Sequence, residues 1–356
     1  MVVALENELE IQETETSDDD ESQSIPYEIA AYPTDFTLEV LYGKWKSGQL
    51  YMPDFQRQYV WSLPQASRFI ESFLLGLPIP QVFLYRSFSN SKLIVVDGHQ
   101  RLATIAKYFE GKFSDAQRFK LRGVNERWDG CAYADLDEDD QVRLRDCPLR
   151  SIVVRQIKPD DDSSIYQIFE RLNTGGTQLN AMEIRKAIFH GDGYRLLERL
   201  NEDFNWRSLL GKDSPDRRLK DVELVLRVLA LASDQGAYTK PMKTFLTNYM
   251  KAMFNGNQDM YDSLEHRFGQ TCQIVRDQLG DRPFHLYKSL NVAALDAVMV
   301  TAMQSLGSLE QDLGSCYQEL REDSGFIDAV TDSTSDTNVV KTRLELARDH
   351  LVRLPE

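Results

Sequence analysis

The sequence predicts an α+β fold in which a small mixed α/β unit precedes an all-helical unit. Up to residue 158, short β-branched runs such as "LIVVDG" and "LRSIVVRQI" alternate with helical patterns, whereas after Ser163 the apolar residues recur almost wholly at helical spacing. The 356 residues exceed what one hydrophobic core usually serves, and 42% of them are apolar, which is enough for two cores. We therefore expect an α/β domain over residues 26–157 and a helical domain over residues 158–356.

The elements of the first domain are bounded by caps and chain breaks. Thr37 can cap a helix that ends at Gly48, and Ser62 with Gln65 can form a capping box for a second helix that Gly76 stops. Between these helices, "QLYMPDFQRQYVW" predicts an extended segment. The remaining elements are strands in "QVFLYR" and "LIVVDG", a helix from His99 to Phe109, a polar helix in "DLDEDDQVRLRD" and a strand in "LRSIVVRQI".

The second domain is predicted as a series of amphipathic helices, the second of which Asn180 and Glu183 can cap. Their segments are "SSIYQIFERLN", "AMEIRKAIFH", "YRLLERLNED", "RLKDVELVLRVLALAS", "PMKTFLTNYMKAMF", "MYDSLEHRFGQTCQIVRDQL", "LNVAALDAVMVTAMQSL" and "VVKTRLELARDHLVRL". The sequence contains neither a run of about eighteen apolar residues nor a signal-peptide pattern, so we expect a cytoplasmic protein without membrane association. Its four cysteines lie far apart without CxxC pairing, which predicts packed thiols rather than a zinc cluster or disulfides.

Much of the net charge of −15 lies at the N-terminus. Nine carboxylates and no Lys or Arg precede Ser22, and without them 41 basic against 47 acidic residues leave about −6. Such a segment cannot bury enough apolar area to offset its ordering entropy, so we predict a disordered acidic tail over residues 1–25. The tail either solubilises the protein or occupies a basic groove as a nucleic-acid mimic.

The junction "VVDGHQRL" carries the first candidate site. A strand that feeds through Asp97 and Gly98 into a helix leaves the first backbone N–H groups of that helix unpaired, and these groups favour an anion such as phosphate. Gly98 permits close approach of a ligand, and Arg101 can bind two phosphate oxygens. His99 and Gln100 can contact a base or hold a water molecule, while Asp97 can bind a metal ion or act as a base.

A purely structural interpretation of the same residues stays open. Asp97 and Gln100 have the spacing of a capping box, which stabilises a helix by about 1 kcal/mol. Gly98 can serve the turn alone, and Arg101 can pair with Asp97. A short glycine-containing turn does not by itself distinguish this interpretation from ligand binding.

Two other polar stretches are candidates for the same site. In "MPDFQRQYVW", Gln56 and Arg57 lie between aromatic residues and can clamp a phosphate, although the aromatic residues can equally belong to a core. Asn173 and Thr174 open the break "NTGGT" between two helices, which suits a loop near a phosphate or a simple turn.

Taken together and in this order, these stretches resemble the family named for the N-terminal domain of the GmrSD restriction endonucleases, also known as domain-of-unknown-function family 262. The resemblance rests on "MPDFQRQYVW", "PIPQVFLY", "VVDGHQRLATI" and "FERLNTGGTQLNAMEIRKA", with support from "RRLKDVELVLRVLAL" and "MKTFLTNYM". It extends from about Phe36 to about Phe254. It implies a ParB/sulfiredoxin-like α/β fold followed by helices, with an Asp-Gly-Gln-Gln-Arg motif as the nucleotide-handling element.

The resemblance assigns a role to each motif residue. Asp97, Gln100 and Arg101 become the catalytic candidates. The nucleotide-binding candidates are Gln56, Arg57, Gly98, His99, Asn173 and Thr174. His99 replaces the usual glutamine of the motif, and because imidazole changes its donor pattern with tautomer and its charge with pH, the sequence leaves the nucleotide preference open.

The function implied is a nucleotide-binding regulatory protein, or an NTPase, of a bacterial restriction or phage-defence system. Its implied ligands are a nucleoside triphosphate with Mg²⁺, and its implied partners are DNA and a separate nuclease subunit. Relatives commonly continue into a His-Asn-His nuclease domain, but after residue 260 this sequence offers only the scattered His266, His285 and His350, which predicts that such a nuclease is lacking.

Two alternatives stay open. One is a stand-alone ParB-like nuclease or nickase. The other is a non-enzymatic DNA- or protein-binding module of a two-protein system, with the basic residues of "IRKA" and "PDRRLK" as a surface for nucleic acid.

Overall fold

The computed structural model of the chain describes residues 28–52, 59–87, 92–158, 180–189, 191–234, 238–286 and 289–353, together with residues 164, 165 and 168. The predicted acidic tail, residues 1–25, lies outside this part of the chain. The described residues form two compact units that divide between Ile188 and Phe189. The predicted architecture, a mixed α/β region followed by a helical region, is confirmed.

The first unit contains a five-stranded mixed sheet. Its strands are β1 (Glu28–Thr37), β2 (Leu50–Tyr51), β3 (Val82–Arg86), β4 (Leu93–Asp97) and β7 (Pro148–Lys158), in the order β1-β7-β3-β4-β2. The pairs β1–β7 and β3–β4 are antiparallel, whereas β2–β4 and β3–β7 are parallel. A separate hairpin is formed by β5 (Lys112–Ser114) and β6 (Gln117–Arg118). The strand β4, which leads into the predicted site, therefore lies inside the sheet between β3 and β2.

Five helices are complete within the described residues of this unit: α1 (Leu38–Lys46), α2 (Leu63–Leu74), α3 (His99–Glu110), α4 (Glu138–Asp146) and α5 (Ala181–Ile188). The predicted caps form, since Thr37 accepts from the Val40 amide at 3.3 Å and Gln65 Oε1 accepts from the Ser62 amide at 2.9 Å. The helix predicted from His99 to Phe109 is formed as α3, and its apolar residues at helical spacing form a stripe in which Leu102 and Ile105 are buried, at 4% and 2% exposure. Packing of this stripe fixes the orientation of α3 and of its first turn.

The boundary between the units lies beyond the predicted one near residue 158. Gln156 and Ser164 are buried, and the Ser164 amide donates to Gln156 Oε1 at 2.6 Å. This bond ties the chain after β7 to the sheet. The helix α5 also belongs to the first unit, and it begins with the predicted capping pair, in which Asn180 and Glu183 exchange hydrogen bonds of 2.7 and 2.8 Å.

The second unit is helical. Its described helices are α6 (Asp192–Asn201), α7 (Phe204–Leu210), α8 (Lys220–Asp234), α9 (Met242–Phe254), α10 (Gln258–Leu279), α11 (Val292–Gln304), α12 (Leu313–Glu322), α13 (Ser324–Ala329) and α14 (Thr337–Leu351). Every residue of α11 from Ala293 to Met303 is buried, as expected of a helix that is apolar nearly all round. Within it, Asp296 pairs with the buried Arg227 and Arg343 at 2.7 and 3.1 Å.

Some elements are not evident from the sequence. The edge strand β1 has the sequence "EIAAYPTDFT", whose central Pro33 and mostly exposed side chains obscure the strand pattern. The short helices α7, α12 and α13 also lie outside the predicted segments. None of the described helices is both long and apolar enough to cross a bilayer.

Candidate functional site

The strand–helix junction predicted at Asp97 is formed. β4 ends at Asp97, α3 begins at His99, and Gly98 between them is the N-cap residue with a φ of +99°. The Leu102 amide donates to the Gly98 carbonyl at 2.9 Å, which closes the first turn of α3. The backbone N–H groups of the residues before Leu102 have no acceptor within the helix, and they form the positive end of the helix dipole.

Gly98 is required by the packing of the sheet. A Cβ atom built on Gly98 would lie 2.4 Å from Cγ1 and 2.9 Å from Cβ of Val82 in β3. The positive φ adds strain for any side chain. The direction in which a side chain would point is therefore filled by Val82, so the fold alone accounts for a glycine here.

Arg101 is held by three oxygen atoms. Its Nη2 donates to Asp97 Oδ2 at 2.8 Å, and its Nη1 donates to the carbonyl oxygens of Pro80 and Gln81 at 2.8 and 2.6 Å. The side chain of Arg101 is 17% exposed, while that of Asp97 is 38% exposed. The ion pair expected in the structural interpretation is thus formed, and Arg101 also fastens α3 to the chain just before β3.

Gln100 does not cap α3. The predicted capping box with Asp97 is wrong, because the N-cap position belongs to Gly98 and Asp97 lies one residue too early. Instead, Gln100 Oε1 accepts a hydrogen bond from the Val60 amide at 3.1 Å. Its Nε2 is buried and has no hydrogen-bond partner among the described residues. Gln100 thus binds the chain that follows the "PDFQRQ" stretch.

Tyr59 is the second anchor of that chain on α3. Its hydroxyl lies 2.8 Å from Thr104 Oγ1, and burial raises its pKa above the usual value. Lys107 Nζ lies 4.8 Å from the centre of the Tyr59 ring and donates to the Phe113 carbonyl at 2.7 Å. Because Gln100, Thr104 and Lys107 follow helical spacing, one face of α3 holds the chain at residues 59 and 60.

The other end of the same stretch is also fixed. Leu50 and Tyr51 pair with Leu93 and Ile94 of β4, and Met52 is buried. The predicted residues Gln56 and Arg57 lie between these two anchored ends but outside the described residues, as do Asn173 and Thr174. The anchoring residues Tyr59, Thr104 and Lys107 were not predicted, because their contacts join positions far apart in the sequence.

No metal centre is evident in the described part of the chain, which contains no group of three or more His, Cys, Asp or Glu residues arranged to hold an ion. All four cysteines are free thiols. Among the later histidines, His350 Nε2 lies 3.7 Å from Asp323 Oδ2. The pKa of His285 is lowered by burial and by the nearby Arg282.

The two predicted basic patches differ in exposure. In "IRKA", Arg185 is fully buried and cannot contact a nucleic acid, so the surface predicted there is wrong for this residue. In "PDRRLK", Arg217 is exposed, whereas the backbone amides of Arg218 and Lys220 donate to Asp216 Oδ1. The side chain of Asp216 therefore fixes the backbone of this second stretch, just where α8 begins.

Comparison with known proteins supports the resemblance found from the motifs. A search of curated proteins gives no match. Residues 38–190 match the family model described as the N-terminal domain of the GmrSD restriction endonuclease. The match covers most of the first unit, including the Asp97 junction and the anchored chain at Tyr59. Residues 38–190 of this chain are therefore similar to the N-terminal domain of the GmrSD restriction endonuclease.

Proposed function

We propose that this chain is a nucleotide-binding component of a restriction or phage-defence system, and that it binds the phosphates of a nucleoside triphosphate at the first turn of α3. The observation that carries the proposal is that α3 itself anchors the chain next to "PDFQRQ", through Val60 and Tyr59. The chain that follows Gln56 and Arg57 in sequence is thus held on the helix that begins beside the Asp97–Arg101 pair. The residues that follow "PDFQRQ" therefore contact the helix that begins within "DGHQR", although the two motifs lie far apart in sequence.

The first turn of α3 supplies donors for phosphate oxygens. Its backbone N–H groups and the helix dipole favour an anion, as at many phosphate sites. Arg101 is already bound by Asp97 and two carbonyl groups, so its main contribution is a rigid positive charge near these donors. Arg57 is then the residue that supplies a charged contact to the phosphates, and Gln56 and Gln100 supply amide groups.

Asp97 fits a role in Mg²⁺ binding. One of its carboxylate oxygens, Oδ2, pairs with Arg101, while Oδ1 makes no hydrogen bond within the described part of the chain. A single carboxylate together with phosphate oxygens and water is a usual set of donors for Mg²⁺. When bound there, the ion would neutralise phosphate charge.

Any hydrolysis at this site would depend on positioning and electrostatics, which dominate phosphoryl transfer. Gln100 and Asp97 would orient water, and Arg101 and Arg57 would stabilise the developing charge. A protein that binds without hydrolysing would act as a nucleotide sensor. In either case, we propose that a separate nuclease subunit cleaves DNA.

The test is isothermal titration of the full chain with ATP, GTP, CTP and UTP in the presence and absence of Mg²⁺, followed by a phosphate-release assay. We expect at least one nucleotide to bind. Arg57→Ala should weaken it by about tenfold or more, since a hydrogen bond to a charged group contributes about 1.5–3 kcal/mol. Asp97→Asn should reduce the dependence on Mg²⁺.

The matched control is Arg86→Ala, which removes an exposed arginine from the end of β3 in the same unit. Its affinity for nucleotide should equal that of the wild type. If none of the four nucleotides binds, or if Arg57→Ala binds as tightly as Arg86→Ala, the proposed site is wrong. Phosphate release that persists in Asp97→Asn would exclude a catalytic role for that carboxylate.

A further inference from the structure

The end of α3 opposite the proposed nucleotide site carries a row of positive charge, with one carboxylate, the exposed Asp115, in the turn of the same segment. The chain from Lys112 to Arg122 reads "KFSDAQRFKLR", and its four cationic residues are all exposed. They alternate with apolar residues, since Phe119 and Leu121 are 0% and 1% exposed. The side chains of Arg118, Lys120 and Arg122 therefore face the solvent on one side of an extended segment.

This extended segment is fixed in place by backbone and core contacts. The Phe119 amide donates to the Gly111 carbonyl at 3.0 Å, and the Leu121 amide donates to the Cys131 carbonyl at 2.9 Å. The Arg122 amide donates to Ser67 Oγ of α2 at 3.0 Å. These contacts fix the backbone that carries Arg118, Lys120 and Arg122, and alternate residues of an extended chain lie about 6.6 Å apart.

Three of the four cations lack a compensating carboxylate. Lys120 Nζ lies 3.9 Å from Asp135 Oδ2. The other three cations, Lys112, Arg118 and Arg122, form no ion pair with the described residues. In the β5–β6 hairpin, Lys112 lies directly opposite Arg118. Like charges in directly opposed positions destabilise a hairpin, so folding alone does not account for this pairing.

We infer that this row, made of Lys112, Arg118, Lys120 and Arg122, binds the phosphate backbone of duplex DNA. Several exposed cations along one segment and its hairpin partner match a repeating polyanion better than a single small anion, and guanidinium groups bind phosphate oxygens in pairs. The net charge of −15 would otherwise repel DNA, so a local concentration of cations is needed for contact.

The row favours a duplex over a single strand. Single-strand binding generally adds exposed aromatic rings on which bases stack. The aromatic residues of this segment instead pack on each other, with the Phe113 and Phe119 rings 5.3 Å apart and Phe119 fully buried. The contact offered is therefore to the backbone, without base readout.

This inference extends the DNA partner of the proposed function to a named surface, and it does not require the nucleotide site. The twelve residues of α3 separate the two ends by about 18 Å. A variant of the row can therefore be titrated with nucleotide as a separate measurement. A variant of the row that loses DNA binding but keeps nucleotide binding shows that the two sites are separate. A variant of the nucleotide site that loses nucleotide binding but keeps DNA binding shows the same.

The experiment is a fluorescence anisotropy titration of the full chain with a short labelled duplex between about 50 and 200 mM salt. Four phosphate contacts predict that the logarithm of the association constant falls with the logarithm of salt concentration with a slope of about −3.6. The triple variant Lys112→Gln, Arg118→Gln, Arg122→Gln should bring this slope to about −0.9. A single-stranded oligonucleotide should compete more weakly than the duplex.

The matched control is Lys251→Gln, Arg321→Gln, Lys341→Gln, which removes three exposed cations from the helical unit and changes the net charge equally. It should keep the wild-type slope. The inference is overturned if the wild type does not bind the duplex at low salt, or if the control loses as much affinity as the triple variant. It is also overturned if phosphatidylserine vesicles bind to the row while the duplex does not.

Discussion

The two ends of α3 use similar residues in opposite ways. At the N-terminal end, Gly98 is crowded by Val82, and Arg101 is bound by a carboxylate and two carbonyl groups. At the C-terminal end, Gly111 also has a positive φ, but a Cβ built there meets no described atom within 4 Å. The cation that follows, Lys112, faces Arg118 with no carboxylate partner in the described part of the chain.

This difference shows that a recognisable motif does not mark the charges that are free to bind a ligand. In "DGHQR" the glycine and the arginine are both needed by the fold itself. The less conspicuous stretch after α3 contains cations for which the fold provides no partner. Exposure and ion pairing, rather than motif strength, decide which of the two groups is available to a ligand.

The largest expected effect is that of Gly98→Ala. The new Cβ would lie 2.4 Å from Val82 Cγ1 at a φ of +99°, so crowding adds to backbone strain. Overpacking costs about 1–3 kcal/mol and a side chain in the left-handed region about 1–2 kcal/mol, which together lower the free energy of unfolding by about 2–5 kcal/mol. Urea denaturation followed by tryptophan fluorescence measures the change.

Gly111→Ala is the control for this variant at the other end of the same helix. It has the same kind of φ without the crowding, so we expect a loss of about 1 kcal/mol. Equal losses for the two variants would mean that contact with Val82 does not restrict Gly98. Adding Val82→Ala to Gly98→Ala should restore part of the stability, since the clash with Cγ1 is then removed.

Arg101→Ala is expected to cost about 2–4 kcal/mol of folding stability, because it leaves Asp97 and two carbonyl groups without their donor. Loss of nucleotide binding in this variant would therefore not identify a ligand contact. Thermal unfolding of Arg101→Ala, measured together with its nucleotide titration, tests this structural role. A melting temperature equal to that of the wild type would contradict the structural role of Arg101.

Tyr59→Phe is expected to have a smaller effect, about 1 kcal/mol, since it removes one hydrogen bond to Thr104 and keeps the ring beside Lys107. If the anchor positions the Gln56–Arg57 stretch, affinity for nucleotide should fall although Tyr59 makes no proposed contact with it. Denaturation and isothermal titration give the two values. Tyr85→Phe, in the buried part of β3, is a matched removal of a hydroxyl group for which no loss of nucleotide affinity is expected.

The parts of this fold that could be predicted are those fixed by neighbours in sequence. The caps at Thr37, Ser62 and Asn180 join residues three positions apart, and the stripe of α3 follows from helical spacing. The anchors of the candidate site join residues 40 and 45 positions apart, as in Val60–Gln100 and Tyr59–Thr104. Such contacts depend on how β2, β4 and α3 are brought together, and no local pattern encodes them.

The same limit explains two predictions that the structure corrects. Asp97 and Gln100 have capping-box spacing, but the strand continues to Asp97 and its carboxylate pairs with Arg101 instead. In "IRKA", the helical spacing that suggested a basic surface places Arg185 in the interior. Local sequence correctly predicts that these two segments are helical, whereas burial decides which of their polar side chains are available.

The smallest expected effect, and the one that tests the two ends of α3 most directly, is that of Lys112→Gln. Removing one of two opposed cations from the hairpin should raise stability by a few tenths of a kcal/mol in the absence of ligand. The same change should lower affinity for duplex DNA and reduce the salt slope by about 0.9. Matched thermal melts at low salt and DNA titrations measure the two effects. A variant that loses stability would show that the opposed charges serve the hairpin, and one that gains stability without any loss of DNA affinity would show that Lys112 does not contact the polyanion.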